Sequence, residues 1–179
     1  MSSVASAVVA AVAGATEHDG FGSVTVDVSR DRWTDALASA HAAGATFFDL
    51  LTAYDDGPHG LAVVVHLATP DLRDHVLVRT VLPVDDPDLD TATGVYPGAA
   101  WHERETHEMF GIGFVGNERL DPLLLRPDLG AAPLRKGFVL AARAARAWPG
   151  EKDPSDQGGR PRRRTLPPGV PADWPEAGS

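Results

Sequence analysis

The chain has 179 residues, with 16 lysines and arginines against 25 aspartates and glutamates for a formal charge of -9, and it contains no cysteine. That absence excludes disulfides, thiolate zinc sites, cysteine-bound iron–sulfur clusters and a cysteine nucleophile. A hydrophobic content of 43% at this length suits one domain with a tail. The charge is unevenly placed: residues 1–101 hold 4 basic and 14 acidic side chains, residues 102–148 hold 7 and 6, and residues 149–179 hold 5 of each. An acidic front argues against nucleic acid, because phosphate contacts demand a basic face. The one basic run, Arg160 with Arg162, Arg163 and Arg164, sits in a proline-rich stretch and reads as solvated chain.

Residues 1–20 open with small apolar side chains, Val4, Val8, Val9 and Val12 among alanines. The first lysine or arginine is Arg30, so the positive start of a signal peptide is missing, and the run is far short of the roughly 20 residues of a spanning helix. A short alanine-rich helix or a frayed end is expected there. From Phe21 to Ser29, Val24, Val26 and Val28 alternate with Thr25 and Asp27, the pattern of a half-buried strand. Ser29 is placed to cap a helix in which Trp33, Ala36, Leu37 and Ala40 share one side, with Gly44 as its stop. Two β-rich runs, Thr46 to Tyr54 and Leu61 to Thr69, flank Asp55, Asp56, Gly57, Pro58, His59 and Gly60, which is a hairpin signature. A third strand is expected at His75 to Leu82, giving a meander. Pro83 to Asp90 reads as an acidic loop, and Pro97-Gly98 introduces a helix over Ala99 to Phe110 that Gly111 ends.

These elements predict an α+β fold: a small mixed or antiparallel sheet with helices packed on it over residues 21–110. Periodicity fades after Gly111, so residues 111–148 are expected as an extended irregular C-terminal arm for a partner, with a short helix at Ala141 to Trp148. Residues 149–179 hold 7 of the 15 prolines and 5 of the 18 glycines, a composition that buries too little apolar surface to order itself.

His102-Glu103 followed by His107 superficially resembles a zinc-protease helix. Such a helix needs its histidines four residues apart, and a gap of five turns the rings about 140° from one another. Glu103 and His107 alone keep the four-residue spacing, but a surface helix pair is the commoner use of it. Asp86, Asp88 and Asp90 have calcium-loop spacing, yet Thr91 and Pro97 stand where that loop needs glycine and glutamate. Nucleotide-binding glycine loops and the serine-hydrolase elbow are absent from the sequence. Trp101, Arg104, Glu105 and Glu108 share one side of the helix, which suits docking on a partner or on the following extended chain, or an arginine–glutamate network within the domain.

The run Trp101, Glu103, Arg104, Glu105, Glu108, Met109, Phe110, Gly111, Ile112, Phe114 and Gly116, followed by Pro133, Leu134, Arg135 and Lys136, resembles the two signatures of the thirty-kilodalton subunit family of respiratory complex I, the NADH:quinone oxidoreductase. The likeness is close over residues 96–138. It departs from the family's pattern at Asn117, Glu118, Asp121-Pro122 and Gly137, where histidine, proline, an arginine pair and aspartate are usual.

The resemblance implies a scaffold without catalytic residues, bound metal or cofactor of its own, with FMN, iron–sulfur clusters and quinone on partner subunits. Its partners would be the quinone-site and iron–sulfur subunits of the peripheral arm, at the cytoplasmic face of the cell membrane and touching the membrane only through the complex. The signature residues are then expected to serve structure and partner contact. The equivalent subunit of an energy-converting hydrogenase is the alternative, and a stand-alone metallohydrolase built on His102, Glu103 and His107 a third.

Overall fold

The computed structural model describes residues 2–20, 22–127 and 129–138. The α+β reading holds. The elements run α1 (Ser3–Ala11), β1 (Thr16–Gly20), β2 (Ser23–Asp27), α2 (Trp33–Ala42), β3 (Phe47–Asp55), β4 (Leu61–Ala68), β5 (His75–Leu82), β6 (Asp88–Asp90), α3 (Ala99–Phe110) and β7 (Gly113–Val115). The expected helix-or-frayed start is a helix, with the Ser2 hydroxyl accepting the Ala5 N–H at 3.0 Å. Asp74, in the turn between β4 and β5, accepts the N–H groups of Ser3 and Val4. Val4 and Val8 are fully buried, so the compact unit begins at α1 and not at residue 21.

One sheet of five strands has the order β1-β2-β5-β4-β3. The expected hairpin and meander are β3, β4 and β5, antiparallel in sequence order, whereas β2 lies parallel to β5 and carries β1 at the edge. Composition hides β1, because Thr16 to Gly20 is polar and almost wholly exposed; it is a strand only because β2 offers it a ladder.

Side-chain alternation puts Val26, Val63, Val65, Leu67, Val76, Val78 and Leu82 on one face of the sheet, all buried. Helices α1 and α2 cover that face and fill it with Val4, Val8, Trp33, Leu37 and Ala40. Ser29 makes no side-chain cap; its carbonyl accepts from Arg32 in a short 3-10 turn ahead of α2. The expected stop at Gly44 is real. With φ at +101°, it donates to His41 while Ala45 donates to Ala40, which closes the end of the helix.

The stretch read as an acidic loop holds a strand. β6 runs parallel to β7, pairing Leu89 with Phe114, and α3 is the crossover between them. Leu89, Ile112 and Phe114 are buried beneath this second layer. Tyr96, in the loop before α3, donates its hydroxyl to the Ala45 carbonyl at 2.8 Å, and burial pushes its phenol above the usual range.

Candidate functional site

The chemistry-bearing residues of the sequence gather on and around α3. This helix starts after Gly98, ends at Gly111 in a left-handed conformation (φ +70°) and packs along β3, the edge strand opposite β1. Gly111 donates to the His107 carbonyl, and the turn releases the chain directly into β7.

Glu103 sits at the centre. Its side chain is fully buried, and its carboxylate accepts three hydrogen bonds: from the Ala92 N–H at 2.6 Å, the Thr91 hydroxyl at 2.7 Å and the Asn117 amide at 2.9 Å. A buried carboxylate is tolerated when its lone pairs are filled in this way. It ties the end of β6, the middle of α3 and the exit of β7 into one joint.

Arg104 and Glu108 lie on another side of α3 and grip the chain that follows. Arg104 donates Nε to the Asp121 carbonyl and Nη2 to the Pro122 carbonyl at 2.6 Å, with its guanidinium 5.7 Å from the Trp101 ring centre. Glu108 accepts three successive backbone N–H groups, those of Leu123, Leu124 and Leu125, at 2.8 to 3.0 Å. Partial burial opposes ionisation of Glu108, but these N–H groups and Arg104 outweigh it and hold the carboxyl below the usual range.

The second motif fastens the same chain further on. Leu134 N–H donates to the Met109 carbonyl at 3.1 Å and Arg135 Nε to the Phe110 carbonyl at 2.5 Å. Carbonyls in the last turn of a helix lack intrahelical partners, and a cation is favourable at that end. Lys136 N–H donates to Asp55 at the end of β3, at 2.8 Å; the same carboxylate takes the Gly57 N–H and is held below its usual range by these two donors.

The expected docking of the charged helix side is thus met by the following extended chain. Of the residues expected to serve structure and partner contact, Glu103, Phe110, Ile112 and Phe114 are buried within this chain. Within the expected arm of residues 111–148, β7 joins the second sheet, and Leu123 to Leu125 and Leu134 to Lys136 are bonded back to α3 and β3. Trp101 and Leu134 are 63% and 55% exposed, and Glu105 is exposed as well. Gly116 turns with φ at +92° and Pro133 lies in the fastened segment. The helix expected at Ala141 to Trp148 and the tail of residues 149–179 lie outside the described residues.

The zinc-protease cluster does not form. His102 Nδ1 accepts the Leu51 N–H of β3 at 3.4 Å, His107 Nδ1 donates to the Ile112 carbonyl at 2.8 Å, and Glu103 faces Thr91 and Asn117. The three side chains spend themselves on three different partners. Sequence reasoning missed Asp55, Thr91 and Asn117, whose roles depend on chain segments that only folding brings to α3.

A two-layer α+β domain with a parallel β6–α3–β7 unit, whose following segment through Lys136 is fastened over its helix, defines the class of protein. Residues 26–144 match the family described as respiratory-chain NADH dehydrogenase, 30 Kd subunit, and the chain belongs to that family. NADH-quinone oxidoreductase subunit 5 of Thermus thermophilus is 35% identical over 135 residues, covering 69% of this chain and 65% of the relative. The chain therefore spans just under two thirds of that relative's length. A subunit of the F(420)H(2) dehydrogenase of Methanosarcina mazei is 40% identical over 79 residues, 44% of this chain and 50% of the relative. Among solved structures, a chain of the membrane-bound sulfane sulfur reductase, an archaeal respiratory membrane complex, superposes with a TM-score of 0.67 at 28% identity, covering 75% of this chain and 83% of that one. Among the described residues no helix is long and apolar enough to cross a membrane.

Proposed function

We propose that this chain is a non-catalytic scaffold within the peripheral arm of a membrane-bound NADH:quinone oxidoreductase, docked on the quinone-site subunit at the cytoplasmic face. FMN, iron–sulfur clusters and quinone then belong to partner subunits, and the chain supports electron transfer coupled to proton translocation by holding those subunits in place. One observation carries the reading. The charged signature residues Glu103, Arg104, Glu108 and Arg135 are spent on this chain's own backbone and polar side chains, as a fastener requires and a reacting site does not. Trp101, Glu105 and Leu134 remain exposed beside the fastened segment and are the signature residues open to a partner.

Gentle solubilisation of native membranes, capture of the tagged chain and mass spectrometry test this. Co-purification of a quinone-site homologue with iron–sulfur subunits is expected; a chain recovered alone, or NADH oxidation by the isolated chain, overturns the reading.

A second reading changes the electron donor. Similarity to the F(420)H(2) dehydrogenase relative and to the sulfane sulfur reductase chain supports a related complex in which this scaffold serves a donor other than NADH, the energy-converting hydrogenase type among them. An NADH-oxidising flavoprotein in the captured complex favours the first reading, and a nickel-bearing large subunit or another donor-specific protein the second.

A further inference from the structure

On the sheet face turned away from the core, far from α3 in the sequence, two imidazoles meet. His66 of β4 is paired with Leu77 and His75 of β5 with Ala68, so both point to the same outer face from neighbouring antiparallel strands. Their ring centres are 5.4 Å apart, and His66 Nε2 lies 3.3 Å from His75 Nδ1. The other nitrogen of His66, Nδ1, is 2.8 Å from Asp49 Oδ2, at the register shift in β3.

The carboxylate decides the tautomer. With Asp49 accepting from His66 Nδ1, His66 Nε2 is left as the acceptor in the contact to His75 Nδ1. A carboxylate behind one nitrogen of an imidazole is the arrangement that orients a metal-bound histidine and raises its basicity. The spacing fits as well: two nitrogens each about 2.0–2.1 Å from a tetrahedral ion stand about 3.3 Å apart. Without an ion the same contact is a hydrogen bond from His75 Nδ1 to His66 Nε2, and an ion bound there replaces its proton.

We propose that His66 Nε2 and His75 Nδ1 form a two-nitrogen site for a divalent transition ion of the zinc, nickel or copper type, with Asp49 as the positioning residue behind His66. Imidazole nitrogen selects these ions over magnesium and calcium, which take oxygen. Among the described residues no group of three or more histidine, aspartate or glutamate side chains gathers to hold an ion. The chain therefore supplies two donors and water the remaining positions, which the exposure of His75 permits.

The test uses the full untagged chain, titrated with zinc chloride by calorimetry and with copper(II) by electron paramagnetic resonance. One ion per chain is expected, with a two-nitrogen hyperfine pattern for copper. His66→Gln and His75→Gln should each abolish saturable uptake, and Asp49→Asn should weaken it about ten- to a hundredfold. His59→Gln, in the β3–β4 turn, should bind like the parent. Absence of saturable uptake, uptake that survives loss of either imidazole, a one-nitrogen copper spectrum, or an Asp49→Asn chain that binds like the parent would each overturn the proposal. Far-UV circular dichroism of each variant confirms that the sheet is retained.

Discussion

The sheet layer and the fastened segment over α3 are held by different physics. Between the sheet and α1–α2 the contacts are mainly apolar, side chain to side chain, and drawn from Val4 to Leu82, with the Asp74 bonds to the start of α1 the polar exception. Over α3 they are polar, and one partner is usually the peptide backbone: the carbonyls of Asp121 and Pro122, the N–H groups of Leu123 to Leu125, and the carbonyls of Met109 and Phe110. A core position constrains the side chain that occupies it, whereas a backbone partner is supplied by almost any residue. That difference explains how Asp121-Pro122 can stand where the resemblance leads one to expect an arginine pair. Arg104 uses their carbonyls, and the side chains are immaterial to its grip.

Breaking the comparison at its strongest point means removing Trp33, whose side chain is fully buried between α2 and the sheet. Trp33→Ala should cost about 3–5 kcal/mol in urea unfolding and destabilise the whole described unit. Glu103→Ala comes next, on the order of 3 kcal/mol by the same measurement, because it leaves the Ala92 N–H and the Thr91 and Asn117 groups without their acceptor. Glu103→Gln should fall between that variant and the parent.

The fastened segment should respond locally. Glu108→Gln should raise hydrogen exchange at Leu123, Leu124 and Leu125 roughly fivefold, about 1 kcal/mol of local opening, and leave the amides of β4 and β5 unchanged. An equal rise in the sheet would erase the distinction between the two layers. Acid should act in the same place. Glu108 and Asp55 both titrate below their usual ranges in the folded chain, so their contribution is complete above the ordinary carboxylate pKa and lost as pH falls through the lowered values. Exchange at Leu123 to Leu125 and at Lys136 should therefore rise in acid before the sheet opens. The smallest effect is expected for Asp121→Ala, within about 0.5 kcal/mol, since the carbonyl that Arg104 uses is kept.

Legibility in the sequence followed the same division. Alternation disclosed β2 and β5, apolar β-rich runs disclosed β3 and β4, three- and four-residue spacing disclosed α2, and a Pro-Gly start with a glycine stop disclosed α3, because all of these signals are local. The strands β1 and β6 escaped notice, as Thr16 to Gly20 and Asp88 to Asp90 carry little apolar pattern and take their form from a neighbour. The helix wheel grouped Arg104 with Glu108 correctly. It gave no sign that Glu103 is buried, since that depends on Thr91, Ala92 and Asn117 arriving from either side of the helix.

The amino-acid sequence by itself determined the α+β class, the family, and the division between an acidic front and a nearly neutral back, because periodicity, motif order and charge are properties of the chain alone. Only the tertiary structure decided what the charges do. Lone pairs and N–H groups are satisfied by whatever the fold brings within about 3 Å, and here the fold brought α3 its own following chain.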